Sequence, residues 1–172
     1  MNKYGYCKSD KAFKGWISSA LRRVWSNHPA KIELLNFGRM TFKSPKSNRR
    51  IYHNKCMHCG NWFPLKDLEI NHINTVGGFD LAHIGEVANN LLNVSVEDLE
   101  RLCKPCHSVV TYSERSGLSI EDSKLEKKVI AFMKDNNAAE QKRKLLKVGV
   151  EPAKTVALRR DQVREIYMRK RK

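Results

Sequence analysis

Cys56-Met57-His58-Cys59-Gly60, Glu69-Ile70-Asn71-His72-Ile73 and Asp98-Leu99-Glu100-Arg101-Leu102-Cys103-Lys104-Pro105-Cys106-His107 are the stretches from which the rest of this chain is read. Each Cys-x-x-Cys turn offers two thiolates at an angle that suits a tetrahedral ion. Two such turns complete a closed four-sulfur site of the kind zinc occupies for structure rather than chemistry. Between Cys59 and Cys103 lie 43 residues, more than a compact zinc ribbon uses, so the ion is expected to close a large loop with structure of its own. A thioredoxin-like redox pair needs a βαβ setting, which neither turn has. A two-cysteine, two-histidine finger built on His72 needs a histidine where Val76, Gly77 and Gly78 stand.

The chain of 172 residues carries 33 Lys and Arg against 18 Asp and Glu, a net charge of +15. A surplus of this size favours a polyanion, because each neutralised phosphate releases condensed counterions. The charge is segregated. Residues 1–55 hold 13 basic and 2 acidic residues, residues 56–110 hold 3 and 7, and residues 111–172 hold 17 and 9. The cysteine-bearing centre is therefore acidic and its flanks basic, which fits flanks that grip phosphate around a centre that holds cations. No apolar run is long enough to span a membrane and the N-terminus lacks a secretion-type apolar stretch. A cytoplasmic location is expected, where paired cysteines are metal ligands more often than disulfides.

Ser9 or Asp10 is placed to cap a first helix, with Phe13, Trp16, Ile17, Leu21, Val24 and Trp25 on one face. Pro29 opens a second, short helix that ends near Gly38. Residues 39–55 are polar and basic and read as a loop or arm. Strands are expected from Asp67 to His72 and through Leu99 and Leu102, with a helical piece between Gly77-Gly78 and Asn89-Asn90. A helix begins near Pro105, with His107 and Thr111 one turn apart. Ser119-Ile120-Glu121-Asp122 resembles a capping box before a further helix. A basic helical stretch through Lys142–Lys147 is broken at Val148–Pro152, and a last helix carries Val163, Ile166 and Tyr167.

In order and register these motifs resemble the HNH endonuclease superfamily, the ββα-metal nucleases, over roughly residues 53–115. The segment Ala20–Trp25 resembles phage-encoded members less specifically. The resemblance implies an α+β fold: a zinc-stabilised ββα core at 53–118, a basic helical arm at 1–52 and a basic helical extension at 119–172. It implies a metal-dependent DNA endonuclease leaving 5′-phosphate and 3′-hydroxyl ends, acting in the host cytoplasm if phage-encoded. His72 matches the general base. Asn71 and His107 match the ligands of a catalytic Mg²⁺ or Mn²⁺. Cys56, Cys59, Cys103 and Cys106 match the zinc ligands.

Chemistry supports the same assignment. Phosphodiester hydrolysis needs an activated water and charge neutralisation at the phosphorane. A neutral imidazole and one divalent ion supply these. Asn71 departs from the family, which most often has aspartate or histidine there. An uncharged amide is a weak ligand for a hard cation, so binding would lean on the DNA phosphate or favour Mn²⁺, unless Asn71 marks an inactive copy. Glu69 would lie on the face of Asn71 if its strand is regular. Asp98 stands where the family has its central asparagine, and its carboxylate suits bracing the loop. Arg49 and Arg50 in the arm, and Arg159, Arg160 and Arg164 in the extension, are candidate DNA contacts. Residues 142–172 suit either a helix-turn-helix-like reader or a solvated tail. The rivals are a non-catalytic zinc-ribbon DNA-binding or regulatory protein and an RNA-directed module, the latter disfavoured by the lack of aromatic stacking patterns.

Overall fold

A computed structural model describes residues 5–170, an α+β protein in two compact units, the first running to His107 and the second starting at Ser108. In the first unit come α1 (Asp10–Ser26), α2 (Pro29–Asn36), β1 (Met40–Lys43), β2 (Arg50–Lys55), β3 (Trp62–Pro64), β4 (Leu68–His72), α3 (Ile84–Leu92) and β5 (Leu99–Cys103). α4 (Lys104–Ser116) begins there and runs across the boundary. Residues 39–55 form no loop or arm. They carry β1 and β2, which pair antiparallel and continue into β3, so the arm expected to end at residue 52 shares its sheet with the segment after it.

The local causes are plain. Ser9 caps α1 by accepting from the Ala12 amide at 3.2 Å, and Pro29 opens α2 where its missing N–H costs nothing. α2 packs on β5, and Ala30, Leu34 and Leu99 form a buried cluster flanked by Trp25, Ile70, Val94 and Val96. The last carbonyls of α2 are capped by side chains from the strands. Asn54 donates to Leu35 O at 3.1 Å and Phe37 O at 2.7 Å. The buried Arg101 donates to Leu34 O and, at 2.9 Å, to Lys55 O. Its cation sits at the negative end of the helix and joins α2, β2 and β5.

β4 and β5 form a regular antiparallel hairpin in the register Leu68↔Cys103, Glu69↔Leu102, Ile70↔Arg101, Asn71↔Glu100 and His72↔Leu99. Partners directly opposite share a face. Glu69, Asn71, Glu100 and Leu102 thus lie on one side, with Ile70, His72, Leu99 and Arg101 on the other.

The second unit contains α5 (Ile120–Asp135), α6 (Ala138–Lys147) and α7 (Val156–Arg169) around Leu125, Val129, Leu145 and Val163. Ser119 caps α5, accepting from the Asp122 amide at 3.0 Å. α6 ends on Gly149, whose φ of +75° favours glycine, while the Val150 amide reaches back to Leu145 O at 3.0 Å and Val150 packs on that core. No described helix is long and apolar enough to cross a membrane.

Candidate functional site

Cys56 follows directly on β2, Cys103 ends β5 and Cys106 lies in the first turn of α4, so the thiols join three elements. The Cys56 turn is drawn tight by Gly60 N–H to Cys56 O at 2.9 Å, with Gly60 at a φ of +71°. It is tied to β5 by Met57 N–H to Arg101 O at 2.8 Å. All four sulfurs lie within 4.8 Å of one another, Cys59 and Cys103 at 4.0 Å. Tetrahedral zinc with bonds of about 2.3 Å sets its sulfurs about 3.8 Å apart, so four cysteines are positioned to bind a metal in a manner consistent with structural zinc. Burial pushes the Cys103 and Cys106 thiols up. Cys56 is also buried, but backbone hydrogen bonds from Cys59, Cys103 and His58 outweigh this and hold it at about 7. Thiols this close ionise together only around a cation.

One face of the β4–β5 hairpin gathers polar groups. His107 Nδ1 is hydrogen-bonded to the Glu69 carboxylate, which leaves Nε2 as the nitrogen able to ligate. Metal-ligating histidines are commonly buttressed by a carboxylate in this way. The Asn71 amide donates to Glu100 Oε1 and to His72 O, both at 3.0 Å, while Glu100 Oε2 meets His58 Nε2 at 2.9 Å. The side-chain oxygen of Asn71 is the atom left to ligate. Because β4 is regular, Glu69 and Asn71 do share a face, but Glu69 is engaged by His107. Among the described residues the cysteines are the group that brings three or more His, Cys, Asp or Glu ligand atoms together.

His72 lies on the other face. Its ring packs against Trp25, tilted by 36° with centroids 4.4 Å apart, and Nε2 meets Leu91 O at 3.1 Å. A carbonyl accepts only from N–H, so Nε2 carries the proton and Nδ1 the lone pair. Burial pushes the ring below the usual imidazole range, with His28 adding to this and the Leu91 carbonyl opposing it. His72, Asn74, Thr75, Asn93, Val94 and Asp98 line a polar cavity of about 240 Å³. Asp98 braces this wall: its carboxylate accepts from Ser95 N–H and the Ser95 hydroxyl at 2.8 Å each, and its carbonyl accepts from the Ile73 amide at 2.9 Å. Those hydrogen bonds from Ser95 hold its pKa below the ordinary value.

The predicted residues are thus partly assembled. The thiols converge, Glu69 meets His107, and His72 shares a cavity with Asp98. His72 is not brought to the face of Asn71 and His107. Glu100, which joins Asn71 to the cysteine turn through His58, was missed by sequence reasoning, since only the strand register puts residue 100 opposite residue 71. No protein-family model, curated protein or solved structure matches the chain.

The arginines need a correction. Arg159 is 2 % exposed and donates to Gln141 Oε1 at 3.1 Å, Ala153 O at 3.0 Å and Lys154 O at 2.8 Å. It holds the turn before α7 and is not available to DNA. Arg160 and Arg164 both pair with the mostly buried Glu126, which is kept ionised chiefly by the hydrogen bond from Arg164. Arg49 and Arg50 are exposed.

Proposed function

We propose that the chain is a zinc-stabilised, metal-dependent DNA endonuclease of the HNH type. The observation that carries this reading is the orientation of His72. A backbone carbonyl fixes the Nε2–H tautomer, burial keeps the ring neutral near pH 7, and the basic Nδ1 belongs to a residue lining a polar cavity. A general base for water needs a fixed ring and an available lone pair. The β4–β5–α4 order, with thiolates tying hairpin to helix, supports the same reading.

In this mechanism His72 Nδ1 takes the proton of the attacking water. The Trp25 ring and the Leu91 carbonyl hold the imidazole still, and Asp98 holds the chain after it. His107 Nε2, buttressed by Glu69, and the Asn71 side-chain oxygen would hold a Mg²⁺ or Mn²⁺, with DNA phosphate oxygens completing its shell. When bound, such an ion neutralises charge on the phosphorane and on the leaving 3′ oxygen.

The separation of His72 from Asn71 and His107 on opposite faces of β4 favours a second reading, a zinc-containing DNA-binding protein that does not cut. One experiment decides. Supercoiled plasmid is incubated with zinc-loaded protein and Mg²⁺ or Mn²⁺, or with no added cation, beside His72→Ala. Cation-dependent nicking that falls about 10²- to 10⁴-fold in the variant is expected. Equal cutting by both proteins removes His72 as the base, and no cutting by either leaves the binding protein.

A further inference from the structure

Three C-terminal arginines serve the second unit's own fold, Arg159 by burial and Arg160 and Arg164 through Glu126, and a separate concentration of positive charge lies in the first unit. Between Arg39 and Lys55 stand six basic residues and no acidic one. They fall on or beside the β1–β2 ribbon, whose first strand is exposed along its whole length. Thr41, Lys43, Arg50 and Tyr52 form one exposed face, with Thr41 opposite Tyr52 and Lys43 opposite Arg50. Arg39 lies over the Tyr52 ring at 4.1 Å, and Lys46 and Arg49 sit in the turn. Like charges directly opposite across a strand pair disfavour it. Among the described residues none of the six cations has an acidic partner, which is also true of exposed second-unit lysines such as Lys124 and Lys142, but the latter are interspersed with acidic residues whereas the ribbon segment contains none. A strand pair kept exposed, cationic on facing positions and unrelieved by any carboxylate is suited to a polyanion.

We propose that the β1–β2 ribbon is the principal DNA-docking element, lying on duplex DNA with Lys43, Lys46, Arg49 and Arg50 on phosphates and the Arg39–Tyr52 pair at its edge. The major groove of B-DNA admits a two-stranded ribbon of this width, and the contact fixes register rather than sequence. The inference rests on the reading that the partner is DNA, but not on cleavage. Charged edge strands also serve to block strand-to-strand aggregation, and the test separates that role from docking.

Binding of a short fluorescein-labelled duplex to the zinc-loaded full chain is followed by anisotropy across a KCl series, with no Mg²⁺ or Mn²⁺ added. Lys43→Gln/Lys46→Gln/Arg49→Gln/Arg50→Gln is compared with Lys124→Gln/Lys128→Gln/Lys142→Gln/Lys147→Gln, which removes the same charge from exposed positions of the second unit. Each phosphate contact contributes about 0.9 to the slope of log K against log salt. The ribbon variant is expected to lose about 3 to 4 of slope and more than tenfold in affinity, and a turn-only Lys46→Gln/Arg49→Gln variant about 2. The second-unit variant is expected to change the slope by less than about 1. A ribbon variant that keeps the wild-type slope, or a second-unit variant that loses as much, overturns the docking assignment while leaving the DNA reading standing. Wild-type protein that binds no duplex sinks both, and tighter binding to the same sequence as duplex RNA overturns the choice of DNA.

Discussion

Asn71→Asp tests the candidate cation site directly. The substitution restores the residue type that the resemblance leads one to expect, but here it sets a carboxylate where the amide now donates to Glu100 Oε1 at 3.0 Å. The Glu100 side chain is 15 % exposed, so water relieves little of the repulsion. Two unit charges about 3 Å apart repel by ~5 kcal/mol at an effective dielectric near 20. Protonation caps the penalty: keeping one ordinary carboxyl neutral at pH 7 costs about 4 kcal/mol. With some side-chain relaxation, the zinc-loaded variant should be ~2–4 kcal/mol less stable than the parent at neutral pH. One folded-state pKa of the pair formed by the new carboxyl and Glu100 would be raised, so the folded variant binds the extra proton more tightly than the unfolded chain. The penalty is then present near pH 7 and shrinks as pH falls toward about 5. Urea unfolding read by tryptophan fluorescence measures it cleanly, because Trp16, Trp25 and Trp62 all lie in the first unit. A divalent ion between the carboxylates removes the repulsion, and saturating Mg²⁺ should restore about 2 kcal/mol or more to the variant and little to the parent. Equal stability at pH 7, or a penalty that Mg²⁺ leaves untouched, would refute a cation position beside Asn71.

Arg101→Met keeps volume but strands the Leu34 carbonyl and the contact to Lys55 O. Tryptophan-detected unfolding should report a loss of about 2–5 kcal/mol, and Arg101→Lys should recover only part of it because one ammonium cannot reproduce the fork. Stripping the metal with a strong chelator should abolish the native tryptophan signal of the first unit, while amide exchange in α5 and α7 stays slow. Glu126→Gln leaves Arg160 without a carboxylate and Arg164 with only the exposed Asp161, and should cost the second unit about 1–3 kcal/mol at pH 7, seen as faster exchange in α5 and α7. Since the folded-state pKa of Glu126 is depressed, the parent holds this advantage above the ordinary glutamate value near ~4.3 and loses it as pH falls through the lower folded value, where the two proteins should converge.

The features that were legible in the sequence rest on short-range rules. Cysteine spacing dictated a four-thiolate cluster, Ser9 and Pro29 marked the starts of α1 and α2, and the short apolar-bearing runs through Leu68 and Ile70 and through Leu99 and Leu102 marked two strands. Residues 39–55 read as an arm because basic residues and the Ser-Pro and Ser-Asn steps dominate them, and the alternation of Met40-Thr41-Phe42-Lys43 is only four residues long and exposed throughout. Hydrophobic periodicity reveals a strand only where one face is buried. Arg159 read as surface because a basic run usually is. It is buried because the turn between α6 and α7 frees the Ala153 and Lys154 carbonyls inside the unit, and a planar donor fork satisfies both. The contact of Asn71 with Glu100 depends on a register across 29 residues that no local signal encodes.

The thiolates do more than hold one turn closed. β2 runs directly into Cys56, β5 ends on Cys103 and α4 starts around Cys106, so a single ion would join the ribbon, the hairpin and the helix that bears His107. The His58–Glu100–Asn71 chain extends that junction to the residue before His72. Under the proposed reading, the ribbon that docks DNA and the strand that bears the base are therefore set relative to one another by the metal together with a small apolar core around Ala30, Leu34 and Leu99. Loss of zinc should then remove DNA binding and cleavage together. Substitutions at His72 or His107 should remove cleavage alone, and ribbon substitutions should weaken binding without altering the cation preference of whatever cutting remains. That pattern of separable losses distinguishes a nuclease framed by a structural ion from a binding protein that merely contains one.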